Sequence, residues 1–311
     1  MEPMGREGPW LVTGAGGFLG VHVAHRALQA LPRGGRLVCQ VHGATAAART
    51  LARELLPAKG TMAVADLADP AQRAGLLDDL APGTVIHAAA LSRIADCESD
   101  PGRAQEVNAA ASEAIARWCA ARGARLVHVS TDLVFGAREA PPGGFTEEHE
   151  PGPLSVYGRT KLAAEAAVAA AHPSAAIVRL PLLLGPSHGR GLGASDSVLL
   201  AHGRGEVPRL FVDEWRTPLD VRSAAEALVE LARREFAGRL HVAGPERLSR
   251  HEIGLRALRG QGLRADQARA ALAASSRGES ARLRPADVSL DAARARALLR
   301  TLLVGLPDGA G

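Results

Sequence analysis

The chain has 311 residues and a mass of 32.3 kDa, with 47% hydrophobic and 23% charged residues. This composition excludes a disordered or fibrous protein, and the length suits one large domain or a domain with an added lobe. The formal net charge is only +4, and no block of Lys and Arg is present, so we expect no nucleic-acid partner.

Cysteine usage and the terminal segment indicate the compartment. Cys39, Cys97 and Cys119 form neither a C-x-x-C pair nor a ligand cluster, so we expect reduced thiols in the core and no metal site. Residues 1–10 contain charged side chains and no apolar signal-peptide core, and no run of about eighteen apolar residues occurs. We therefore expect a cytoplasmic protein with no membrane association.

Short apolar runs alternate with helical stretches through the first half of the chain. The predicted strands are Trp10–Thr13, Leu37–Val41, Thr61–Val64, Thr84–His87, Leu126–Val129 and Ala176–Leu180. The predicted helices are Gly17–Ala30, Thr45–Leu55, a helix from Asp69 and Pro70, Arg103–Arg122 and Ser155–Ala171. This alternation predicts an α/β fold of Rossmann type, a doubly wound parallel sheet with helices on both faces.

The pattern is less regular after Leu180. We predict a helix at Val221–Phe236, a strand at Arg239–Val242 and a helix that begins at Ser249. The segment Arg284–Leu303 is predicted to form a loop and a last helix.

A glycine cluster follows the first strand and opens the first helix. Gly14, Gly17 and Gly20 have the spacing G-x-x-G-x-x-G. The first glycine permits a tight turn, the second lets backbone N–H groups approach a pyrophosphate, and the third lets the helix pack closely on the sheet. Because a helix N-terminus also stabilises an anion, this segment predicts a dinucleotide site. The expected contacts are Gly14, Gly16, Gly17, Phe18, Leu19 and Gly20.

The end of the second strand bears on the choice of cofactor. An acid that binds the adenosine ribose is expected there, about twenty residues after the glycines, but the run Cys39–Gly43 contains none. We therefore expect NADP to be preferred, with NAD also allowed, and His42 to line the site. Arg49 either approaches a 2′-phosphate or is a solvated helix residue. Asp66, followed by Leu67, either accepts from the adenine amino group or caps the chain.

A rare pair of residues suggests acid–base chemistry. Tyr157 is the only tyrosine and lies four residues before Lys161, one of two lysines. On a helix these side chains share a face, where an ammonium lowers the pKa of a phenol from about 10 and makes it a general acid or base. A surface pair is the alternative. Ser130 and Thr131, at the end of the fifth strand, are both candidates for orienting a substrate carbonyl.

Together these residues resemble a known family. The glycine loop, the H-A-A-A run at 87–90, Asn108, the S-T-D-L-V-F-G run at 130–136 and the Y-x-x-x-K motif are similar to the extended short-chain dehydrogenase/reductases. The chain most resembles the dTDP-4-dehydrorhamnose reductase group, because residues 153–161 read P-L-S-V-Y-G-R-T-K. The resemblance is clear over residues 9–180 and thinner beyond them.

The resemblance implies roles for individual residues. Thr131, Tyr157 and Lys161 would form the catalytic set, with Thr131 preferred over Ser130, and Asn108 would position Lys161 through water. Hydride would pass from the nicotinamide to the C4 keto group of a nucleotide-linked deoxysugar while Tyr157 donates the proton.

The resemblance also implies contacts and domains. Ala88, Ala89 and Ala90 would line the cofactor beside Tyr157 and Lys161. The candidate substrate residues are Ser92, Arg93, Ser130, Asp132 and Arg216. Residues 9–180 would form the dinucleotide-binding domain, to which 221–245 return, and residues 181–220 and 246–306 would form a substrate lobe. A homodimer is compatible with this family.

Three other functions are alternatives to the reductase. The regulatory β subunit of methionine adenosyltransferase resembles the same group and binds NADP without catalysis. A nucleotide-sugar 4-epimerase uses the same tyrosine and lysine and retains its cofactor. A 4,6-dehydratase is disfavoured, because Leu133 follows Asp132 where that enzyme needs a glutamate.

Overall fold

The computed structural model describes residues 8–43, 60–281 and 283–307. Its strands are β1 (Trp10–Thr13), β2 (Leu37–Val41), β3 (Gly60–Val64), β4 (Thr84–His87), β5 (Arg125–Thr131), β6 (Ala176–Leu180), β7 (Leu183–Leu184), β8 (Arg209–Phe211), β9 (Trp215–Arg216), β10 (Leu219–Asp220), β11 (Gly238–His241), β12 (Leu248–Ser249) and β13 (Ala273–Ser275). Seven of them form a parallel sheet in the order β11-β6-β5-β4-β1-β2-β3. The strand order reverses between β1 and β4, which is where ligands bind in such sheets. The predicted Rossmann-type fold is confirmed.

Helices connect and cover these strands. They are α1 (Phe18–Ala30), α2 (Pro70–Leu80), α3 (Ile94–Ser99), α4 (Pro101–Gln105), α5 (Ala111–Arg122), α6 (Val156–Ala171), α7 (Ala194–Gly203), α8 (Val221–Ala232), α9 (Arg250–Arg259), α10 (Ala265–Ala270) and α11 (Ala293–Leu298). A π-helical segment, Glu106–Ala110, joins α4 to α5, and 3-10 turns lie at Asp132–Val134 and Arg277–Glu279.

Both faces of the main sheet are buried. Leu11 and Val12 are neighbours on β1 whose side chains point to opposite faces, as the two-residue repeat of a strand requires. Val12 packs in the cluster that contains Val21 of α1 and Leu228 of α8, whereas Leu11 packs with Ile115 of α5. Helices on both faces explain why these strands read as continuous apolar runs rather than as alternating ones.

The predicted helix at 103–122 is interrupted in the structure. Asp100 caps α4 by accepting a hydrogen bond from the backbone N–H of Arg103, and Pro101 occupies the first helical turn. The π-helical segment then widens the backbone before α5 begins. This interruption places Asn108, in the middle of the widened segment, behind the carboxyl end of β4.

Other predicted elements differ in detail. The helix predicted to reach residue 236 ends at Ala232, and α3, α7 and α10 were not predicted. The helix predicted at Thr45–Leu55 lies outside the described residues.

The later part of the chain contributes to two regions. β11 pairs with β6 in the main sheet, and α8 packs on α1. A smaller cluster, built from Val198, Leu258, Ala268 and Leu272, joins α7, α9 and α10 beside the β8–β13 pair. The predicted domain boundaries stay a prediction.

Two further expectations concern the thiols and the membrane. Cys39, Cys97 and Cys119 are free thiols in the core. Burial raises the pKa of Cys39 and of Cys119 to about 12, so both stay protonated at neutral pH. None of the described helices combines the length and apolar character that a membrane crossing requires.

Candidate active site

A cavity of about 520 Å³ lies at the carboxyl ends of the central strands, beside the N-terminus of α1. Every residue predicted to contact the cofactor lines it. These residues are Gly14, Gly16, Gly17, Phe18, Leu19, Gly20, His42, Asp66, Leu67, Ala88, Ala89, Ala90, Tyr157 and Lys161. The structure therefore brings the glycine loop and the tyrosine–lysine pair, which are about 140 residues apart, into one cavity.

The glycine loop has the geometry that a pyrophosphate site needs. Gly14 has φ +65°, and a Cβ there would lie 2.6 Å from the Cα of Ala89. A Cβ at Gly20 would lie 2.1 Å from the carbonyl oxygen of Gly14. Gly17, the N-cap of α1, is exposed, and the first turn of α1 carries no acidic side chain. The loop and helix N-terminus thus fit the diphosphate of a dinucleotide.

Gln40 was not predicted as a site residue. Its side-chain Oε1 accepts a hydrogen bond of 2.9 Å from the N–H of Gly14, and its Nε2 donates to the carbonyl of Ala65 at 2.7 Å. Gln40 is buried, so these bonds fix the glycine loop against β2 and the end of β3. The run 39–43 contains no acid, but nothing in the sequence indicates this hydrogen-bonding role of Gln40.

Asp66 forms an ion pair at the end of the cavity next to β2 and β3. Arg103 on α4 donates to Asp66 Oδ2 at 2.7 Å, and His42 Nδ1 lies 3.6 Å from Oδ1. Burial raises the pKa of Asp66, but the hydrogen bonds from Arg103 and from the N–H of Ala68, together with the charge of Arg103, outweigh it, so the pKa is lowered and the carboxylate is charged. The predicted contact of Asp66 with adenine stays a prediction. Arg49 lies outside the described residues.

The start of α6 brings Tyr157 to the end of β5. Ser155 caps α6 by accepting from the N–H of Gly158. A Cβ at Gly158 would lie 2.2 Å from the carbonyl oxygen of Leu133, so only glycine lets α6 approach the Asp132–Val134 turn so closely. Thr131 caps that turn, its Oγ1 accepting from the N–H of Leu133 at 3.2 Å. Thr131, Tyr157 and Lys161 all line the cavity.

The electrostatics of Tyr157 differ from the sequence-based expectation. Burial and the charge of Asp132 raise the pKa of the phenol, and the adjacent Thr131 hydroxyl offsets this only partly. The expectation that Lys161 lowers this pKa is wrong for the structure as it stands, because the cost of burying a phenolate dominates. Tyr157 therefore holds its proton at neutral pH.

Lys161 is buried, and its ammonium faces β5. Its Nζ lies 3.3 Å from Nε2 of His128. Burial lowers the pKa of Lys161 to about 8, while the charge of Glu165, one helical turn away, opposes this shift. The ammonium form thus predominates at pH 7, by less than for an exposed lysine.

Asn108 lies behind the cavity wall and connects two of its segments. Its Oδ1 accepts from the N–H of Leu91 at 2.8 Å, and its Nδ2 donates to the carbonyl of Leu91 and to Oγ1 of Thr160. Asn108 therefore joins the loop after β4 to α6, beside Lys161. Its predicted link to Lys161 through water stays a prediction.

The candidate substrate residues separate into two groups. Ser92 and Ser130 line the cavity. The Ser130 hydroxyl donates to Glu165 at 2.5 Å, and the neighbouring Thr131 hydroxyl donates to Asp132 Oδ1 at 3.1 Å. Arg93 is outside the cavity lining and 81% exposed, 3.8 Å from Asp96.

Asp132 and Arg216 form a buried ion pair at 3.4 Å, and neither lines the cavity. Arg216 also donates to Glu214 at 3.1 Å. Burial raises the pKa of Asp132 to about 6 against the opposing charge of Arg216. Substrate contacts by Arg93, Asp132 and Arg216 stay predictions.

Several lining residues were missed by the sequence analysis. They are Gln40, Val41, Gly43, Ala68, Leu91, Arg103, Val107, Val129, Leu180, Pro181 and Leu183. Val41, Val129 and Leu180 lie at or near the carboxyl ends of predicted strands, a position that could have identified them. Arg103 had no such signal, because it reaches the cavity from a helix.

Comparisons with known proteins agree with this geometry. The RmlD substrate binding domain matches residues 9–304. A dTDP-4-dehydrorhamnose reductase of Mycobacterium tuberculosis (strain ATCC 25618 / H37Rv) is 36% identical over 250 residues, covering 79% of this chain and 73% of the relative. Methionine adenosyltransferase 2 subunit beta of Rattus norvegicus is 32% identical over 185 residues, covering 57% of this chain and 54% of the relative.

A solved structure shows the same fold over nearly the whole chain. The hypothetical dTDP-4-dehydrorhamnose reductase from Sulfolobus tokodaii has a TM-score of 0.74 and 26% identity, covering 96% of this chain and 97% of its own. The match over residues 9–304 includes every residue that lines the cavity. The chain therefore belongs to the RmlD substrate-binding domain family of the extended short-chain dehydrogenase/reductases.

Proposed function

We propose that this chain is an NAD(P)H-dependent reductase that transfers hydride to the keto group of a nucleotide-linked 4-keto-deoxysugar. One observation carries the proposal: a single cavity is lined by the glycine loop and by Thr131, Tyr157 and Lys161. The relative from Mycobacterium tuberculosis supports it, since its name specifies a reductase of dTDP-4-dehydrorhamnose.

Tyr157 is the proton donor in this proposal. The nicotinamide cofactor supplies the hydride when bound. Reduction of a ketone leaves an alkoxide that must receive a proton, and the raised pKa of Tyr157 keeps that proton on the phenol until it is needed. Thr131 lies beside the phenol and lines the cavity, and in this proposal its hydroxyl turns from Asp132 to orient the substrate carbonyl toward Tyr157.

Lys161 supplies positive charge next to the reacting groups. Donation of the proton leaves a phenolate on Tyr157, and an ammonium on the same face of α6 stabilises it. The same ammonium, lining the cavity, is available to the ribose hydroxyls of the cofactor.

The adenosine end favours NADP over NAD. The described end of β2, from Gln40 to Gly43, contains no carboxylate for ribose hydroxyls, whereas His42 and Arg103 both line the cavity beside Asp66. The Arg103 guanidinium at this end favours a 2′-phosphate. NAD remains an allowed cofactor.

The non-catalytic and epimerase alternatives are less favoured. The reductase relative matches 79% of the chain, against 57% for the regulatory subunit. Thr131, Tyr157 and Lys161 also meet in one cavity, as a catalytic set must. The cytoplasmic location and the homodimer stay predictions from the sequence.

The proposal is tested by following NADPH absorbance with dTDP-4-dehydrorhamnose and a panel of other nucleotide-linked 4-keto sugars. We expect NADPH consumption that equals the amount of hydroxyl product detected by mass spectrometry. Binding of NADPH without turnover of any ketosugar would instead favour the regulatory function. Retention of NAD through purification, with interconversion of two C4 epimers, would favour the epimerase.

A further inference from the structure

A buried imidazole lies directly behind the proposed catalytic lysine. Lys161 Nζ is 3.3 Å from Nε2 of His128, which lies on β5 three residues before Thr131. Among the described residues, His128 is the hydrogen-bond partner of the Lys161 side chain. His128 and Lys161 are 0% and 2% exposed, so the contact between them is buried.

The surroundings of His128 favour a neutral ring. Burial, followed by the charge of Lys161, lowers its pKa well below the usual range. The ring of His87 on β4 lies 5.4 Å away, and both of its nitrogens are engaged, with Thr13 at 2.7 Å and Ser112 at 2.9 Å. Among the described residues His128 Nδ1 has no hydrogen-bond partner. A neutral ring whose Nε2 faces an ammonium accepts there and carries its proton on Nδ1.

We propose that His128 is a positioning residue for Lys161: its Nε2 accepts a hydrogen bond from the ammonium, holds it at the cavity and favours its charged form. The proposal rests on the role of Lys161 in the proposed function. In this proposal β5 positions two site residues. It holds Thr131 directly, at its carboxyl end, and Lys161 through His128.

The other titratable groups around Lys161 do not supply this acceptor. Glu165 is one turn further along α6, but its oxygens accept from Arg179 at 2.9 and 2.7 Å and from Ser130 at 2.5 Å. Tyr157 is one turn earlier, and its phenol is protonated. His87 already bonds at both nitrogens. His128 is therefore the group whose removal leaves the ammonium without a direct acceptor.

The chain is well suited to a direct test, because it has only two lysines, Lys59 and Lys161. In a Lys59→Arg background, carbon-13-labelled lysine gives a single side-chain NMR signal, and its shift with pH reports the protonation of Lys161. His128→Phe keeps a ring and removes the acceptor. His128→Gln keeps an acceptor oxygen. His172→Gln is the matched control, a buried histidine that bonds the carbonyl of Ala124 away from the cavity lining.

We expect His128→Phe to lower the titration midpoint of Lys161 by about one pH unit, which is a tenfold change in its acid dissociation constant. His128→Gln should restore much of the difference, and His172→Gln should leave the midpoint unchanged. His128→Leu is the second variant without an acceptor if the phenylalanine variant does not fold. A midpoint in either variant equal to or above that of the background protein would overturn the proposal.

A second measurement separates this proposal from the proposed function. The dissociation constant of NADPH is measured by fluorescence across the same pH range, with Lys161→Met as reference. If Lys161→Met binds NADPH as the background protein does and keeps full turnover, the assigned role of Lys161 fails, while the NMR midpoints still decide whether His128 controls its protonation. As the pH rises, deprotonation of Lys161 should weaken NADPH binding. If this weakening begins at a lower pH in His128→Phe than in the background protein, both the proposal for His128 and the assigned role of Lys161 are supported.

Discussion

Gln40 on β2 accepts a hydrogen bond from the backbone N–H of Gly14 and at the same time donates to the carbonyl of Ala65 after β3. One side chain thus spans three segments at the carboxyl edge of the sheet. The N–H of Ala15 also donates to the Gln40 backbone carbonyl at 2.9 Å, so side chain and main chain fix the same loop. The glycine loop is therefore held in shape by β2 and by its own turn.

Replacing Gln40 with leucine should weaken both the fold and cofactor binding. The change leaves the Gly14 N–H and the Ala65 carbonyl unpaired, and we expect the free energy of unfolding to fall by about 2 kcal/mol. Urea unfolding and NADPH titration measure the two effects. Gln29→Leu, on the exposed side of α1, is the control. Equal stability and affinity in Gln40→Leu and wild type would refute the role of Gln40.

Two glycines of the loop should respond differently to substitution. A Cβ at Gly17 meets only the Gly14 carbonyl oxygen, at 3.1 Å, so Gly17→Val should fold nearly as wild type but fill the space over the helix N-terminus. We expect at least about a tenfold weaker NADPH affinity, equivalent to 1.4 kcal/mol. Gly20→Ala is the contrasting variant, since its Cβ would lie 2.1 Å from an oxygen and should destabilise the fold. Wild-type NADPH affinity in Gly17→Val would show that the pyrophosphate lies elsewhere.

The cofactor preference should shift toward NADH with one acid at the end of β2. We expect wild type to bind NADPH more tightly than NADH. His42→Asp adds a carboxylate near Asp66 that repels a 2′-phosphate and accepts from ribose hydroxyls, so the ratio of the two dissociation constants should move by about tenfold toward NADH. Equilibrium titration with both cofactors measures the ratio. Wild-type protein that binds NADH as tightly as NADPH would contradict this account of the site.

The charged Lys161 side chain should lower the free energy of unfolding at neutral pH. Its pKa is lowered from 10.5 to about 8, so the folded state carries a buried charge below pH 8. Lys161→Met should therefore increase the free energy of unfolding at pH 7 by up to about 3 kcal/mol while reducing turnover.

The pH dependence gives the check on that prediction. The unfolded chain binds more protons than the folded chain between about pH 8 and 10.5, so wild-type stability attributable to Lys161 rises with pH in this window. The difference in free energy of unfolding between Lys161→Met and wild type should therefore shrink as the pH rises through this window. Denaturant unfolding at several pH values measures this, and an advantage that is absent at pH 7, or constant to pH 10, would be inconsistent with a buried charged lysine.

Much of the fold could be predicted because local patterns and tertiary packing agree. β1, the glycine loop and α1 follow one another with an apolar strand, a turn signal and an amphipathic helix, and the structure keeps that order. The positions of Tyr157 and Lys161 in the cavity could be predicted for a similar reason, because residues four apart on a helix lie on the same face.

What could not be predicted depends on contacts between distant segments. The π-helical turn that carries Asn108 has no composition signal, and the side-chain bonds of Gln40 depend on where β3 ends. The direction of the Tyr157 pKa was mispredicted, because the sequence gives a neighbouring charge but not the degree of burial. The pairing of Asp132 with Arg216 likewise joins residues 84 positions apart.

The proton donated by Tyr157 is the centre of this account. Tyr157→Phe keeps the ring and the cavity wall but removes the acid. Because Tyr157 is the only tyrosine, the phenol titration of wild type can also be followed by absorbance, and the raised pKa predicts a midpoint above the usual value of about 10.

The most direct test is the turnover number of Tyr157→Phe with NADPH and dTDP-4-dehydrorhamnose, measured beside its NADPH dissociation constant. We predict that turnover falls by about a hundred- to ten-thousand-fold, since a positioned general acid contributes that much, while NADPH affinity stays close to wild type. A variant that turns over the ketosugar at the wild-type rate would contradict the assignment of Tyr157 as the proton donor.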